Sequence, residues 1–228
     1  MPAPPGAAPP GAAPGFDLAA EVLGVGRRGE GSRGPRGRAP AADWDGATDV
    51  PWGEGARPRF AVDSMLEGLA RLLRLYGVDA AGVPGEVRDA RTAERWRVHR
   101  ALAALAEEEG RVVLTKDRGF LRAKFTGRQY LVAGSRKEEQ MADVAARFRL
   151  RLDAGEIMSR CSKCNGEFRD GTLTAGDLPP GHGVPGGILE RQEAFWECRD
   201  CHQIYWEGSK HAQALDMLAE RIGALSAT

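Results

Sequence analysis

The four cysteines of this chain form two pairs, Cys161 with Cys164 and Cys198 with Cys201, and 33 residues separate the pairs. A gap of two residues lets both thiolates of a pair point at one ion, and two such pairs complete the tetrahedral sulfur shell that zinc prefers. Two disulfides are the alternative, but they need an oxidising compartment, and the amino terminus lacks the continuous apolar stretch of a signal peptide. The spacing therefore predicts a zinc ribbon in a reducing, intracellular compartment. Because four sulfurs leave no open position, we expect the zinc to stabilise the fold and not to catalyse.

The first 57 residues are dominated by proline, glycine and alanine, with scattered arginines. Such a composition buries too little apolar surface to offset the chain entropy lost on folding, so we expect residues 1–57 to be a disordered tail. An organelle transit peptide is the alternative, but its serine content and amphipathic pattern are missing. We expect a cytoplasmic location, with an organellar one as the second choice, and no membrane span, because no apolar run reaches bilayer length.

The formal net charge of zero conceals an uneven distribution of charge. Residues 58–150 carry 18 basic and 13 acidic residues, a net charge of +5, whereas residues 151–228 carry 8 and 12, a net charge of −4. A basic domain favours a polyanionic partner such as nucleic acid, although solvated arginine-rich helix faces give the same count. We predict three parts: the tail at 1–57, a folded domain at 58–150, and the zinc ribbon with a C-terminal helix at 151–228.

The folded domain alternates between short apolar strands and amphipathic helices, which predicts an α/β fold with a right-handed parallel sheet and helices on both faces. The run Arg111–Thr115 is too apolar to have a wet face, so we place it in the middle of that sheet. We expect Ser64 to cap the first helix, and Ser135 with Glu138 to form a capping box at the last. The other predicted strands are 59–62, 78–83 and 129–132, and the predicted helices include 91–110 and a terminal helix after Lys210.

Asp63 and Asp117 each follow a predicted strand directly or within two residues. Since ligands of parallel sheets bind beyond the carboxyl ends of the strands, we expect both carboxylates at one rim. Carboxylates that meet there are stabilised by a hard cation, and Mg²⁺ or Mn²⁺ held in this way can activate water and bind a phosphodiester. The alternative for each aspartate is a helix cap or a turn residue.

Four segments together resemble the Mut-7 C-terminal ribonuclease family: 60–77, 109–121 with the motif Thr115-Lys116-Asp117, 161–166 and 195–209. The resemblance runs in the family's order from about Arg59 to about His211. It implies a PIN-like nuclease fold joined to a zinc ribbon, and metal-dependent cleavage of RNA. It also implies that Asp63 and Asp117 are the motif aspartates and that the four cysteines are the ribbon ligands.

One position departs from that family. Where the family usually has an acid, at the front of the helix before the Thr-x-Asp strand, this chain has Val98 and His99. Asp89 or Glu94 is a candidate for the missing carboxylate, and Glu138 is a weaker one. We expect His99 to lie on a solvated helix face, because a hard cation prefers oxygen ligands.

Basic residues cluster around the two aspartates, and they suit the phosphates of RNA, which we expect to be single-stranded. The candidate phosphate contacts are Lys116, Arg118, Arg122, Lys124 and Arg128, with further arginines at 88, 91, 95, 97 and 100. In the ribbon, Trp206 is the candidate for stacking on a base, although such aromatic residues more often pack. The leading prediction is an RNA hydrolase. The alternatives are a catalytically impaired PIN-like module that binds RNA, and a zinc-ribbon adaptor for proteins.

Overall fold

The computed structural model describes residues 57–83, 95–122, 125, 127–208 and 211–226. The predicted tail lies outside these ranges except for Arg57, and so do Asp89, Glu94 and Lys124. None of the helices within the described ranges combines the length and apolar character that crossing a membrane requires.

A four-stranded parallel sheet forms the centre of the first part of the chain. Its strands are β1 (Phe60–Val62), β2 (Ala80–Gly82), β3 (Val112–Thr115) and β4 (Gln129–Leu131). They lie in the order β2-β1-β3-β4, and all three pairings are parallel. Strand β3 is central, and all four of its residues are buried. The predicted α/β class and the central place of this strand are therefore confirmed.

Helices cover both faces of the sheet, because the strand side chains alternate between two apolar clusters. One face packs against α1 (Glu67–Leu75) and α4 (Lys137–Phe148), and α6 (His211–Ser226) packs on α4; the other face packs against α2 (Arg95–Glu109) and α3 (Arg118–Arg122). Helix α6 is the predicted terminal helix, and it contributes Ala214 and Leu218 to the first cluster.

Two helix starts differ from the prediction. The short 3₁₀ helix Ser64–Leu66 that leads into α1 is capped by Asp63, whose carboxylate accepts from the Met65 amide, so Ser64 is not the cap. At α4 the side chain of Glu139, not Glu138, accepts from the amides of Ser135 and Arg136. The capping box therefore lies one residue later than predicted, since a side chain at this position reaches both amides left free at the helix start.

The ribbon is built on two antiparallel strands, β5 (Phe195–Glu197) and β6 (Ile204–Trp206), with the short helix α5 (Gly186–Leu189) between the cysteine pairs. Each cysteine pair lies in a tight turn. The Cys161 amide donates to Gly166 O, and the Cys198 amide donates to Gln203 O, at 2.9 and 3.0 Å.

Two side chains join the ribbon to the edge strand of the parallel sheet. Arg74 of α1 is 2% exposed, and it donates to Ala80 O at 2.7 Å and to the carbonyls of Ser162 and Lys163 at 3.1 and 3.0 Å. Asn165 accepts from the Ala80 amide at 2.8 Å and donates to Asp79 at 2.7 Å. The turn at Cys161 and Cys164 is thus joined twice to Ala80 of β2, once through Arg74 and once through Asn165.

We expect Leu69→Ala to lower the free energy of unfolding by about 2–5 kcal/mol, because it removes a completely buried side chain from the larger cluster and leaves a cavity. Urea titration followed by circular dichroism measures the change. Trp96→Ala, at a side chain that is 60% exposed, is the control and should change stability by less than about 0.5 kcal/mol. Equal losses in the two variants would contradict the assignment of the core.

Candidate active site

The two predicted aspartates lie at the carboxyl ends of neighbouring strands. Strands β1 and β3 pair in register, and the chain continues this pairing beyond β1, where the Asp63 amide donates to Leu114 O at 2.9 Å. The hydroxyl of Thr115, at the end of β3, donates to Asp63 Oδ2 at 2.6 Å and accepts from the Asp117 amide at 2.9 Å. One buried hydroxyl therefore links the side chain of the first aspartate to the backbone of the second.

Asp63 is a buried acid, with 1% of its surface exposed. Besides Thr115, its carboxylate accepts from the Met65 amide and the Ser64 hydroxyl, both at 3.3 Å. In the described ranges no lysine or arginine lies within ion-pair distance of it. Burial of a carboxylate charge without an opposite charge costs free energy, and the hydrogen bonds to Asp63 offset only part of this cost. A cation bound at this carboxylate would offset the rest.

Asp117 already has partners for both carboxylate oxygens. Its Oδ2 accepts from Arg95 Nε at 2.8 Å and lies 2.9 Å from His99 Nε2, and its Oδ1 accepts from the Gly119 amide at 2.7 Å. Partial burial by itself raises the pKa of Asp117, but the Gly119 amide, the positive charge of Arg95 and the hydrogen bond from His99 outweigh it and leave the pKa below its ordinary value. Asp117 is therefore held as a carboxylate.

Helix α2 supplies both side chains that contact Asp117. Arg95 and His99 are four residues apart, so they lie on one face of the helix, one turn apart. The His99 side chain is 21% exposed, and its ring meets that of Phe120 edge to face at 5.2 Å. The expectation that His99 lies on a solvated face is therefore wrong. The sequence contained a signal for this partial burial. His99 lies three residues before Leu102, which is buried, so His99 is at the edge of the apolar face of the helix.

Carboxylate oxygens such as those of Asp63 and Asp117 are the donors that a hard cation such as Mg²⁺ or Mn²⁺ prefers. Among the residues that the structure describes, Asp63 and Asp117 belong to no group of three or more His, Cys, Asp or Glu whose ligand atoms all lie within 4.8 Å of one another; His99 contacts Asp117, but Asp63 does not complete such a group with them. Glu138, in the first turn of α4, is not such a ligand, and Asp89 and Glu94 fall outside the described ranges. Asp63 and Asp117 thus lie at one rim of the sheet and are linked through Thr115, and Arg95 and His99 contact the carboxylate of Asp117.

The four cysteines converge on one point. Their sulfur atoms all lie within 4.8 Å of one another, with 3.4 Å between Cys164 and Cys198 and 3.7 Å between Cys161 and Cys201. A zinc ion with four sulfur ligands at about 2.3 Å requires sulfur separations of about 3.8 Å. The Gly166 amide donates to Cys164 Sγ at 3.3 Å, and no disulfide joins the cysteines. The cluster can hold a metal such as zinc.

The structure brings together only part of the predicted RNA contacts. Lys116 and Arg118 flank Asp117, and Lys116 Nζ donates to Gly134 O. Arg128 immediately precedes β4, so it lies at the amino edge of the sheet, away from the aspartates. The side chain of Arg122 is not described, and Lys124 is outside the described ranges.

Trp206 is not placed where a base can reach it. It is 8% exposed and packs with Phe195 and Val184 in the apolar cluster of the ribbon. Trp196, on the neighbouring strand, is half-buried.

A cavity of about 870 Å³ lies between the amino edge of the sheet and the ribbon. It contains neither Asp63 nor Asp117, so it is separate from the candidate active site. Trp196 and Phe168 line it together with equal numbers of arginines and acids, which gives it no net attraction for a polyanion. The charged lining residues are Arg57, Arg59, Arg160, Arg169, Asp79, Glu156, Glu167 and Asp170.

The model of the Mut7-C RNAse domain family matches residues 58–218, which include the parallel sheet, the two aspartates and the ribbon. The chain belongs to this family. The Mut7-C match thus confirms the resemblance drawn from the sequence motifs. A human protein, the exonuclease mut-7 homolog, is 39% identical to the chain over 138 residues, which is 56% of this chain and 15% of that protein. The chain therefore corresponds to a small part of that relative's length, and no solved structure matches it.

Proposed function

We propose that this Mut7-C chain is a metal-dependent ribonuclease that hydrolyses RNA phosphodiesters. The observation that carries the proposal is the carboxylate pair at the rim of the sheet, with Asp63 buried without a cationic partner in the described ranges and Asp117 held ionised. The family description and the printed name of the human relative both designate nucleases, and they support the same class of reaction.

Asp63 and Asp117 would hold one Mg²⁺ or Mn²⁺ ion. When bound, such an ion offsets the charge of the phosphodiester and favours ionisation of the attacking water. The residues of the chain set the geometry: Thr115 fixes the first carboxylate against the backbone of the second. Lys116 and Arg118 lie beside Asp117, where they can bind the phosphates that flank the cleaved bond.

RNA is the proposed partner, bound as a single strand through its phosphates. Contacts of this kind depend on charge, so binding should weaken steeply with salt and show little preference for base sequence. In the ribbon, we assign zinc to Cys161, Cys164, Cys198 and Cys201, because the donor set and the sulfur separations fit that ion. Its role is to stabilise the fold.

The test is a cleavage assay on single-stranded RNA with Mg²⁺ and Mn²⁺ titrated separately. We expect the wild type to cleave only with a divalent ion, and Asp117→Asn to reduce cleavage roughly 10²- to 10³-fold, because an amide is a poorer ligand for a hard cation. Asp216→Asn, at an exposed aspartate on α6, is the matched control and should cleave like the wild type. Activity that persists in strong chelator would refute the metal requirement.

A catalytically impaired RNA-binding module is the second candidate. The ion pair between Arg95 and Asp117 favours this module, because the guanidinium already neutralises the carboxylate charge that would otherwise attract a metal ion. RNA binding at low salt without cleavage in either metal would support this module. Absence of RNA binding at low salt would instead leave a zinc-ribbon adaptor for proteins.

A further inference from the structure

We propose that the cavity between the amino edge of the sheet and the ribbon binds one unpaired base of an RNA strand, which stacks on Trp196 and donates hydrogen bonds to Glu167. This inference rests on the proposed RNA partner, and it adds a base contact to the phosphate contacts beside Asp117. The volume of about 870 Å³ is within the usual range for small-molecule sites, so the cavity has room for a nucleoside.

Two aromatic side chains of the ribbon form an apolar part of the cavity wall. Trp196 and Phe168 both line the cavity, and both also pack in the cluster that contains Tyr205 and the cysteines. Phe168 meets the Tyr205 ring edge to face at 5.3 Å, and the Tyr205 hydroxyl lies 3.0 Å from Cys161 Sγ. These contacts hold the wall in place before a ligand binds. Trp196 is only half-buried, so part of its surface is available to stack on a base.

The arginines that line the cavity already have partners. Each contacts a carboxylate or a carbonyl oxygen: Arg57 contacts Glu156 at 3.4 Å, Arg59 contacts Asp79 at 3.1 Å, Arg160 contacts Asn165 O at 3.3 Å and Arg169 contacts Glu197 at 3.0 Å. A phosphate that bound here would have to displace these partners, and the lining has no net charge to attract it. The cavity therefore suits a neutral ligand such as a base, with the phosphates of the strand outside it.

Glu167 differs from the other acids of the cavity. Asp79, Glu156 and Asp170 each pair with an arginine. Glu167 is exposed, and within the described ranges its carboxylate makes no hydrogen bond and no ion pair. A carboxylate only accepts hydrogen bonds, so it selects a base that donates them. Guanine presents a ring N–H and an amino group side by side on its Watson–Crick edge, whereas uracil presents one N–H there. Glu167 therefore favours guanine over uracil.

The cavity and the candidate active site lie at opposite edges of the sheet. Asp79 precedes β2 and lines the cavity, whereas Asp63 and Asp117 follow β1 and β3. Strand β3 has four residues and therefore spans about 13 Å. An extended RNA of several nucleotides is long enough to reach from one edge to the other. A base held in the cavity would then set the distance between a guanine and the cleaved bond.

The test measures the affinity of the protein for three short oligouridines, with no Mg²⁺ or Mn²⁺ added, so that they are not cleaved. One has a central guanosine, one has a central abasic nucleotide, and one is all uridine. We expect the guanosine strand to bind about 5- to 150-fold more tightly than the other two, since a bidentate base contact discriminates by this factor. Trp196→Ala should weaken binding of the guanosine strand by about 5- to 150-fold, whereas Trp196→Phe, which keeps an aromatic ring, should weaken it by less than about threefold.

Glu167→Gln should act differently on the strands. Because RNA is a polyanion, removal of a negative charge should leave the all-uridine strand bound as tightly as before or more tightly. The guanosine strand should lose most of its advantage, since the amide keeps only one acceptor oxygen. The matched control is Glu193→Gln: Glu193 is also an exposed acid of the ribbon, but it does not line the cavity, so the preference for guanosine should remain. Thermal melting shows whether each variant is folded, and Trp196→Leu replaces Trp196→Ala if the latter is not.

Each result bears on the proposal. Equal affinity for the guanosine and abasic strands, unchanged affinity in Trp196→Ala, or an equal gain on both strands in Glu167→Gln overturns the inference and leaves RNA as the partner. Free guanosine that binds as tightly as the guanosine strand would assign the cavity to a nucleoside and overturn its assignment to RNA. A wild type that binds no strand at low salt overturns the proposed RNA partner and this inference together. Strands that bind as expected but are not cleaved when Mg²⁺ or Mn²⁺ is added support the inference and overturn only the proposed hydrolysis.

Discussion

Removal of the proposed zinc ion from the four-cysteine site should unfold the ribbon and also destabilise the parallel sheet. Structural zinc sites contribute about 10–16 kcal/mol of apparent binding free energy, and the apolar clusters of the ribbon are small. Without the metal, the turn at Cys161 and Cys164 loses its fixed shape. Arg74, buried in the first part of the chain, then loses the Ser162 and Lys163 carbonyls as acceptors. A buried guanidinium that loses two of its acceptors is costly, so the effect should reach the sheet.

Amide hydrogen exchange measures this effect residue by residue. After treatment with a strong chelator, we expect loss of protection throughout the ribbon and faster exchange at Ala80, whose amide donates to Asn165. The amide of Val113 lies in β3, which is on the other side of β1 from β2, and it donates to Arg128 O. Its exchange should change less. Readdition of zinc should restore protection, and Cys198→Ser should reproduce the chelated state. If the ribbon unfolds while Ala80 stays fully protected, the two parts fold independently.

The sequence predicted features that depend on local pattern. The cysteine spacing identified the cluster, and the β-branched run at 111–115 identified the central strand, because both signals lie within a few residues. Parallel pairing then placed Asp63 and Asp117 at one rim, since the carboxyl ends of neighbouring parallel strands share an edge.

Contacts between distant segments could not be predicted in the same way. Arg74 and the carbonyl of Ser162 are 88 residues apart, and nothing in the local pattern of α1 distinguishes this arginine from the more exposed Arg71 one turn before it. His99 was misplaced because the edge of a helical apolar stripe is defined only to within one residue position. Trp206 belongs to a strand whose three residues are all buried, and such a strand has no polar face to indicate orientation.

Asp63→Asn should strongly reduce activity but stabilise the metal-free protein, two effects of opposite sign at one site. The substitution removes a ligand for the proposed ion, and we expect cleavage to fall roughly 10³-fold. It also removes a buried charge that has no cationic partner in the described ranges, and we expect the free energy of unfolding to rise by about 1–2 kcal/mol. The new amide keeps an acceptor for the Met65 amide, and the Thr115 hydroxyl can accept from it instead of donating to it.

Thermal melting with and without Mg²⁺ separates this account from a purely structural role for Asp63. Saturation of the wild type at about 100 times the dissociation constant should stabilise it by about 2.7 kcal/mol, because the ion binds only the folded state. Asp63→Asn should lose this dependence while melting higher than the wild type in chelator. Thr115→Val is the companion variant: it removes the hydroxyl that links the two aspartates and keeps both charges, so it should melt lower. If Asp63→Asn instead melts lower than the wild type in chelator, the Asp63 carboxylate stabilises the fold by itself. Its burial at the rim of the sheet would then not depend on a bound cation.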